Sequence, residues 1–356
     1  MFDAGNSAHA LLVSTVGFAL YFRDYLFVDN PQVDSLWALI TVVILLVSAI
    51  SSPLLTSWLY YRRLRWIGLI VTTGVSILAT TLLGFDVVEN PIALVALYAV
   101  SAIGYYIALP IYTSYLSETS GSLIGRASAT GWAVGYIGGI LAAAIALFIG
   151  SLTAPIATQP EKFREIFVLA GIFNLIFSLP MLLLAWKIRR SEISPGGKYS
   201  WRLGAALDVV RRSPNTLRLL IAYWMVGESA TIALYFTAIF LSSFAGMPIA
   251  KIFALTLAIQ FIAALSTWAI GRLAEKFGSK ELFRITCLLW VLIPPLLWSI
   301  KIGISYWIPL IMMGLALGAH HTLVRAEVVR ISLPMERRDK GSLFGFLEVS
   351  GRVSSI

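Results

Sequence analysis

Apolar residues fill this chain in long blocks, and polar residues are confined to short gaps between them. Blocks near 7–28, 33–59, 66–84, 91–116, 127–152, 163–187, 217–244, 251–273, 282–300 and 306–331 each approach the roughly 20 apolar residues that a helix needs to cross a bilayer. The pattern predicts an all-α integral membrane protein. An eleventh block opens near Leu343, and 342–356 reads as the start of a helix without its end, so the chain reads as a fragment.

Within the fifth block, Ala127, Gly131, Gly135, Gly139 and Ala143 recur every fourth residue, and Gly138 widens the same face. In water each such glycine would cost about 1 kcal/mol of helix stability. In a bilayer, small residues at this spacing let two helix backbones approach and pack. The stretch predicts a partner helix, expected to be the eighth span.

Charge gives the orientation. Cations gather in alternate loops: Arg62, Arg63 and Arg65; Arg126; the long 189–216 loop; Arg272, Lys276, Lys280 and Arg284; and Arg325, Arg330, Arg337, Arg338 and Lys340. The opposite loops VDNPQVD and GFDVVENP have none. By the positive-inside rule the cation-rich loops and the N-terminus are cytoplasmic. The net charge of +9 therefore reports orientation rather than nucleic-acid binding. The 189–216 loop holds SPGG and then a stretch with Leu203, Ala206, Leu207 and Val210 on one face, which predicts an amphipathic surface helix. Six spans, a basic linker and further spans make two parallel lobes: 1–188, a linker 189–216, and an incomplete 217–356. On that plan about 10.5 of 12 spans are present.

Composition agrees, with 58% hydrophobic and 13% charged residues, where soluble domains run near 45–50% and about 25%. The single Cys287 leaves no internal disulfide, and neither zinc spacing nor a nucleotide-binding glycine pattern occurs. No cofactor or metal is expected, and energy must come from a gradient.

Four stretches carry two resemblances. GRLAEKFGSK, with Gly271, Arg272, Glu275, Lys276, Gly278 and Lys280, resembles the cytoplasmic loop signature of the major facilitator superfamily. Its acid can latch a gate by pairing with Arg272 or Lys276. The first-half counterpart, SWLYYRRLRW, keeps the cations but lacks the acid and the glycine turn. More narrowly, the FDAGNSA opening, SATGWAVGYIGG in span five, and the 323–356 segment with Arg325, FGF and SGRVSS are similar to the autophagy-related vacuolar amino-acid effluxer family. Phe2 stands where that family has Tyr, Gly227-Glu228 where it tends to have Asp-Gly, and Arg352 where it often has Lys. The resemblance implies a two-lobed transporter that moves amino acids or similar metabolites outward.

Several residues are candidates for chemistry. Glu228 sits eleven residues into span seven, ~16 Å deep at 1.5 Å per residue. There a carboxylate costs at least ~2.5 kcal/mol unless paired or protonated; proton coupling and a structural hydrogen bond are both open. His320 and His321 lie late in span ten, where adjacency should point them to different faces, with a proton relay or a structural bond open for either. Arg325, Glu348 and Arg352 are candidates for gate pairing, Arg325 with Glu327 or Glu348, and Glu348 with Arg352 four residues on; binding of a substrate carboxylate by Arg325 is the other reading. Asp3 and Asn6 are expected at the cytoplasmic mouth of span one, as a helix cap or as gate and substrate groups. Tyr136 can line a polar cavity or simply pack.

The reading is a secondary transporter of a small polar solute, working by alternating access as a monomer in a prokaryotic cell membrane. A drug, sugar or other metabolite carrier is the alternative. An integral-membrane enzyme would need paired His/Asp or metal ligands at a membrane face, and only His320-His321 hint at that.

Overall fold

The computed structural model describes residues 1–15, 17–85, 90–119, 123–151, 153–156, 158–188, 203–243, 247, 249–302 and 305–352. Within these the chain is helical almost throughout. The first span starts at Phe2: α1 (Phe2–His9) and α2 (Gly17–Tyr21) alternate with wide π turns at Ala10–Thr15 and Phe22–Leu26. The long helices are α3 (Val33–Arg62), α4 (Arg65–Leu83), α5 (Pro91–Thr119), α6 (Ile124–Phe148) and α7 (Pro160–Ile188). After the short α8 (Leu203–Arg211) come α9 (Pro214–Ser243), α10 (Ile249–Phe277), α11 (Ser279–Trp298), α12 (Trp307–Ser332) and α13 (Arg337–Arg352).

Local chemistry sets several boundaries. α5, α7 and α9 each begin on a proline, whose missing N–H would have no intrahelical partner at that position. Asn90 caps α5 by accepting the Ile92 and Ala93 N–H groups at 2.9 and 3.4 Å. α3 ends at Arg63 in the left-handed conformation, φ 60°; α10 stops before Gly278, φ 86°, so the turn in GRLAEKFGSK falls at Gly278, while Gly271 lies inside α10.

Among the described residues, eight helices are long and apolar enough to cross a membrane. Their outward faces carry large apolar side chains such as Leu78, Phe148, Val291 and Trp298. α12 differs: 67% of its apolar window is buried, against at most 44% in the other seven. It is therefore a central helix. Two apolar cores belong to the first half, and a third is built mainly from α9–α13, joined by Tyr60, Leu116, Ile124 and Tyr136 of the first half and Val210 of α8. In the first half α4 packs on α5 and α7, and α1 on α6 and α7; in the second α12 packs on α10 and α11. The halves meet through α3 on α13 and through α6 on α10 and α12.

Three expectations change here. The eleventh helix starts at Arg337 rather than near Leu343. The surface helix appears as α8, packed against α3, α9 and α13 through the buried Val209 and Val210; the linker residues 189–202 lie outside the described residues. The expected packing of α6 on the eighth span, α10, is present, but the glycine face of α6 serves mainly α1, within its own half. A Cβ on Gly138 would meet the Ala4 backbone, and one on Gly135 the Asp3 and Ser7 side chains. α6 packs against α10 most closely at its start, where Gly125 and Ala129 oppose Gly271, while Ala127 packs on the second-half core.

This packing separates neighbouring glycines. Gly138→Ala forces Cβ to within 2.6 Å of Ala4 and should cost about 1–3 kcal/mol by overpacking. Gly139→Ala meets nothing closer than 3.5 Å and should leave the melting temperature of the purified protein unchanged or raised.

Candidate functional site

Where α1, α5, α6 and α12 converge, the structure buries an ion pair. Asp3 and Arg325 expose only 7% and 5% of their side chains, with Arg325 Nη1 donating to Asp3 Oδ1 at 3.0 Å. Tyr112 Oη donates to the other carboxylate oxygen at 2.7 Å, and its ring stacks on Phe2. Arg325 Nε donates to Ser128 Oγ at 3.0 Å and Nη2 to the Ser128 carbonyl at 2.7 Å. Ser128 Oγ in turn donates to the Thr322 carbonyl at 3.0 Å. The guanidinium lies 5.2 Å from the Trp132 ring centroid. Gly131 makes room for the pair, since a Cβ there would collide with Asp3 Oδ2 and Arg325 Nη2.

Two charges removed from water lose several kcal/mol of hydration each, and their attraction compensates only when the geometry is good and the remaining donors and acceptors are filled. Here both carboxylate oxygens and all three guanidinium nitrogens have partners. The pair joins α1 of the first half to α12 of the second, so the halves cannot part at this end without breaking it.

The cap reading of Asp3 is thereby overturned: it lies in the first turn of a helix with no side-chain cap, held by tertiary partners. Asn6, one turn on, is buried with its Nδ2 lacking a partner among the described residues. Arg325 pairs with Asp3 instead of Glu327, which faces Arg330 at 3.8 Å. The gating loop also takes a different partner. Glu275 pairs with Arg126 at 2.7 Å, across the halves, while Arg272 stacks on Trp268 at 3.5 Å and Lys276 lies over Phe277. Lys280 is exposed. Tyr60 on Phe344, Gly341 against Thr56 and Ser57, and Gly345 against Pro53 complete the closure of this end.

A second cluster lies beside the pair. The His320 and His321 rings sit 3.8 Å apart, facing one another rather than diverging. His321 stacks on Trp132 at 4.6 Å, and its Nδ1 meets Tyr223 Oη at 2.8 Å. His320 is fully buried, with Nδ1 at the Ala316 carbonyl and its ring edge-on to Trp290. Tyr136 Oη donates to the Leu317 carbonyl at 3.1 Å, bridging the halves again. Glu348 lines a cleft between α3, α5 and α13, and the Arg352 side chain lies outside the described residues. Glu228 is not drawn into either cluster: it is half-buried beside the exposed Ile221, Trp224 and Met225 on α9.

Sequence reasoning passed over His9, which is fully buried in α1, bonded to Ser101 Oγ at 2.9 Å and stacked on Tyr105. Its signal was a lone histidine in an apolar run, six residues after Asp3. Ser128 and Trp132 carried no signal beyond their place in the small-residue stretch.

Removing either charge of the pair strands the other. Asp3→Leu and Arg325→Met singly should each lose about 3–5 kcal/mol, read as a lower melting midpoint. The double variant should recover much of that loss, giving a coupling energy far from additive.

Comparison with known proteins agrees with this architecture. A family model described as Major Facilitator Superfamily matches residues 7–356. A Bacillus subtilis (strain 168) protein described as the uncharacterized MFS-type transporter YxiO is 23% identical over 373 residues, covering 100% of this chain and 84% of its own. Among solved structures, the proton:xylose symporter XylE bound to 6-bromo-6-deoxy-D-glucose superposes with a TM-score of 0.73 at 13% identity, covering 99% of this chain and 84% of that one. A bacterial homologue of the iron transporter ferroportin, outward-facing with soaked iron, gives 0.68 at 16% identity, with coverages of 99% and 87%. The human organic anion transporter MFSD10 gives 0.62 at 15%, with coverages of 99% and 88%.

Proposed function

The chain belongs to the Major Facilitator Superfamily, and from that premise we propose that it exports small zwitterionic metabolites, amino acids foremost, by alternating access. It is a multi-pass membrane transporter with the two-lobed superfamily fold, and not an enzyme. The proposal takes residues 1–188 and 217–356 as the rocking lobes and 189–216 as their linker.

The observation that carries the substrate class is the Asp3–Arg325 pair. When the lobes part at this end, a carboxylate on α1 and a guanidinium on α12 are separated in a poorly hydrated cleft. Each then needs a new partner, because an uncompensated buried charge costs several kcal/mol. A zwitterion supplies an ammonium for Asp3 and a carboxylate for Arg325, so it favours the opened state, whereas a sugar supplies neither charge. The end sealed by this pair also carries Arg126, Arg272, Lys276 and Lys280. On the positive-inside rule it is cytoplasmic, as is the N-terminus, and the conformation is closed to the cytoplasm. Loading from that side and release on the other is outward transport.

Glu228 is the proposed proton-coupling group, supported by its place within a long, largely apolar helix. The second reading is a sugar or other neutral solute, favoured by the aromatic set of Trp132, His321, Tyr223 and Trp290 beside the lobe interface.

Counterflow of labelled solutes in proteoliposomes tests the class. Saturable amino-acid exchange, abolished in Asp3→Asn, is the expected result; saturable exchange of sugars with none of amino acids would sink it. Flux should also lose its pH dependence in Glu228→Gln.

A further inference from the structure

A cluster of rings joins the lobes beside the Asp3–Arg325 pair. Trp132 of α6 comes from the first lobe; Trp290 of α11 and His320 and His321 of α12 come from the second. Trp132 links the cluster to the pair, since its ring lies 5.2 Å from the Arg325 guanidinium and stacks on His321 at 4.6 Å. His320 follows, its ring 3.8 Å from that of His321 and edge-on to Trp290 at 5.8 Å. His320 is 0% exposed and Trp290 3%. Among the described residues, the indole N–H groups of Trp132 and Trp290 and the Nε2 of His320 are buried without a hydrogen-bond partner.

One bond fixes the chemistry of this set. A carbonyl only accepts, so His320 Nδ1, 3.2 Å from the Ala316 carbonyl, carries the hydrogen, and Nε2 of the neutral ring is an acceptor. An indole nitrogen only donates. The set is therefore two donors and one acceptor within the apolar core of the second lobe, where unmatched polar groups are costly. An ammonium could not accept from the indoles, and a carboxylate could not donate to Nε2. A hydroxyl does both: its oxygen accepts an indole N–H, and its hydrogen goes to Nε2. His320 and Arg325 stand five residues apart on α12, ~7.5 Å of helix rise. Helical side chains lean back toward the N-terminus, which carries the Arg325 side chain toward the histidines. One small solute can reach both.

We propose that Trp290 and His320, with Trp132 across the lobe interface, form a side-chain subsite that selects amino acids bearing a hydroxyl group. This subsite rests on the amino-acid transport reading and narrows it: the ion pair takes the ammonium and the carboxylate, and the ring cluster takes the side chain. Parting of the lobes at this end separates Trp132 from His321 and opens the cluster to the solute. A site that hydrogen-bonds a hydroxyl rejects the analogue lacking it, because its own buried polar groups then stay unpaired.

The test is competition in counterflow, with the purified full chain in proteoliposomes exchanging labelled serine and, in parallel, labelled valine. Competitors come in pairs that differ in the hydroxyl: serine against alanine, and threonine against its isostere valine. In each pair the hydroxyl member should half-inhibit at about tenfold lower concentration. That ratio should fall toward one in His320→Phe and shrink in Trp290→Phe, since each keeps a ring and removes the nitrogen. Equal inhibition within both pairs overturns the subsite and leaves amino-acid transport standing, as does a ratio unchanged in both variants. Saturable counterflow of valine without serine also overturns it. So does stronger inhibition by aspartate than by serine, because the cluster would then be acting through donors alone. Should His320→Phe fail to purify as a single species, an unchanged ratio in Trp290→Phe overturns the subsite. Counterflow of no amino acid sinks the transport reading and the subsite together.

Discussion

A carboxylate and a guanidinium, both almost wholly removed from solvent, hold the two halves of this protein together at one end. Burying such a pair is worthwhile only if every remaining hydrogen-bonding position is filled, and that requirement organises the surroundings. Tyr112 comes from α5 to take the second oxygen of Asp3. Ser128 offers both its hydroxyl and its carbonyl to Arg325. Gly131 has no side chain because a Cβ would occupy the space of the pair itself. Four helices are thus placed by the needs of two charges.

On the proposed transport reading, the same arrangement makes the interface switchable. An apolar contact of equal area would hold the lobes together without regard to what is dissolved nearby. A buried ion pair instead converts separation into a demand for charge, which a solute of the right polarity can meet. The exposed Arg126–Glu275 bridge at the rim plays a smaller part: Arg126 is 56% exposed, and such pairs contribute only 0–1 kcal/mol. The energetic barrier to opening therefore lies in the interior of the interface.

The glycines of α6 show how a helix can meet its expected neighbour, α10, while its small-residue face goes to another helix. Spacing every fourth residue guarantees a smooth helix face, but many helices could use such a face. The structure gives it to α1, and this close approach brings Asp3 to the level of Arg325. The histidines are a similar case. Adjacent positions on an ideal helix point about 100° apart, yet stacking of His321 on Trp132 and an edge-on contact of His320 with Trp290 accompany two imidazoles only 3.8 Å apart. Side-chain rotation decided what backbone periodicity left open.

Many membrane-spanning helices, the start of α5 at Pro91, the turn at Gly278, and membership of a two-lobed helical class were legible in the chain. They depend on hydrophobic run length and on backbone chemistry local to a few residues. Asp3, Arg325 and Glu275 were legible as candidates, because a charge within or beside an apolar run is costly without a role. Their partners were not. Asp3 and Arg325 stand 322 residues apart, and Arg126 and Glu275 belong to different lobes. His9 and Ser128, unremarkable in sequence, became part of polar networks only once other helices surrounded them. Sequence alone determined that this chain crosses a membrane many times and carries a few expensive polar groups. Tertiary structure decided which of those groups meet, because pairing depends on helix rotation and approach, which small residues permit but do not specify.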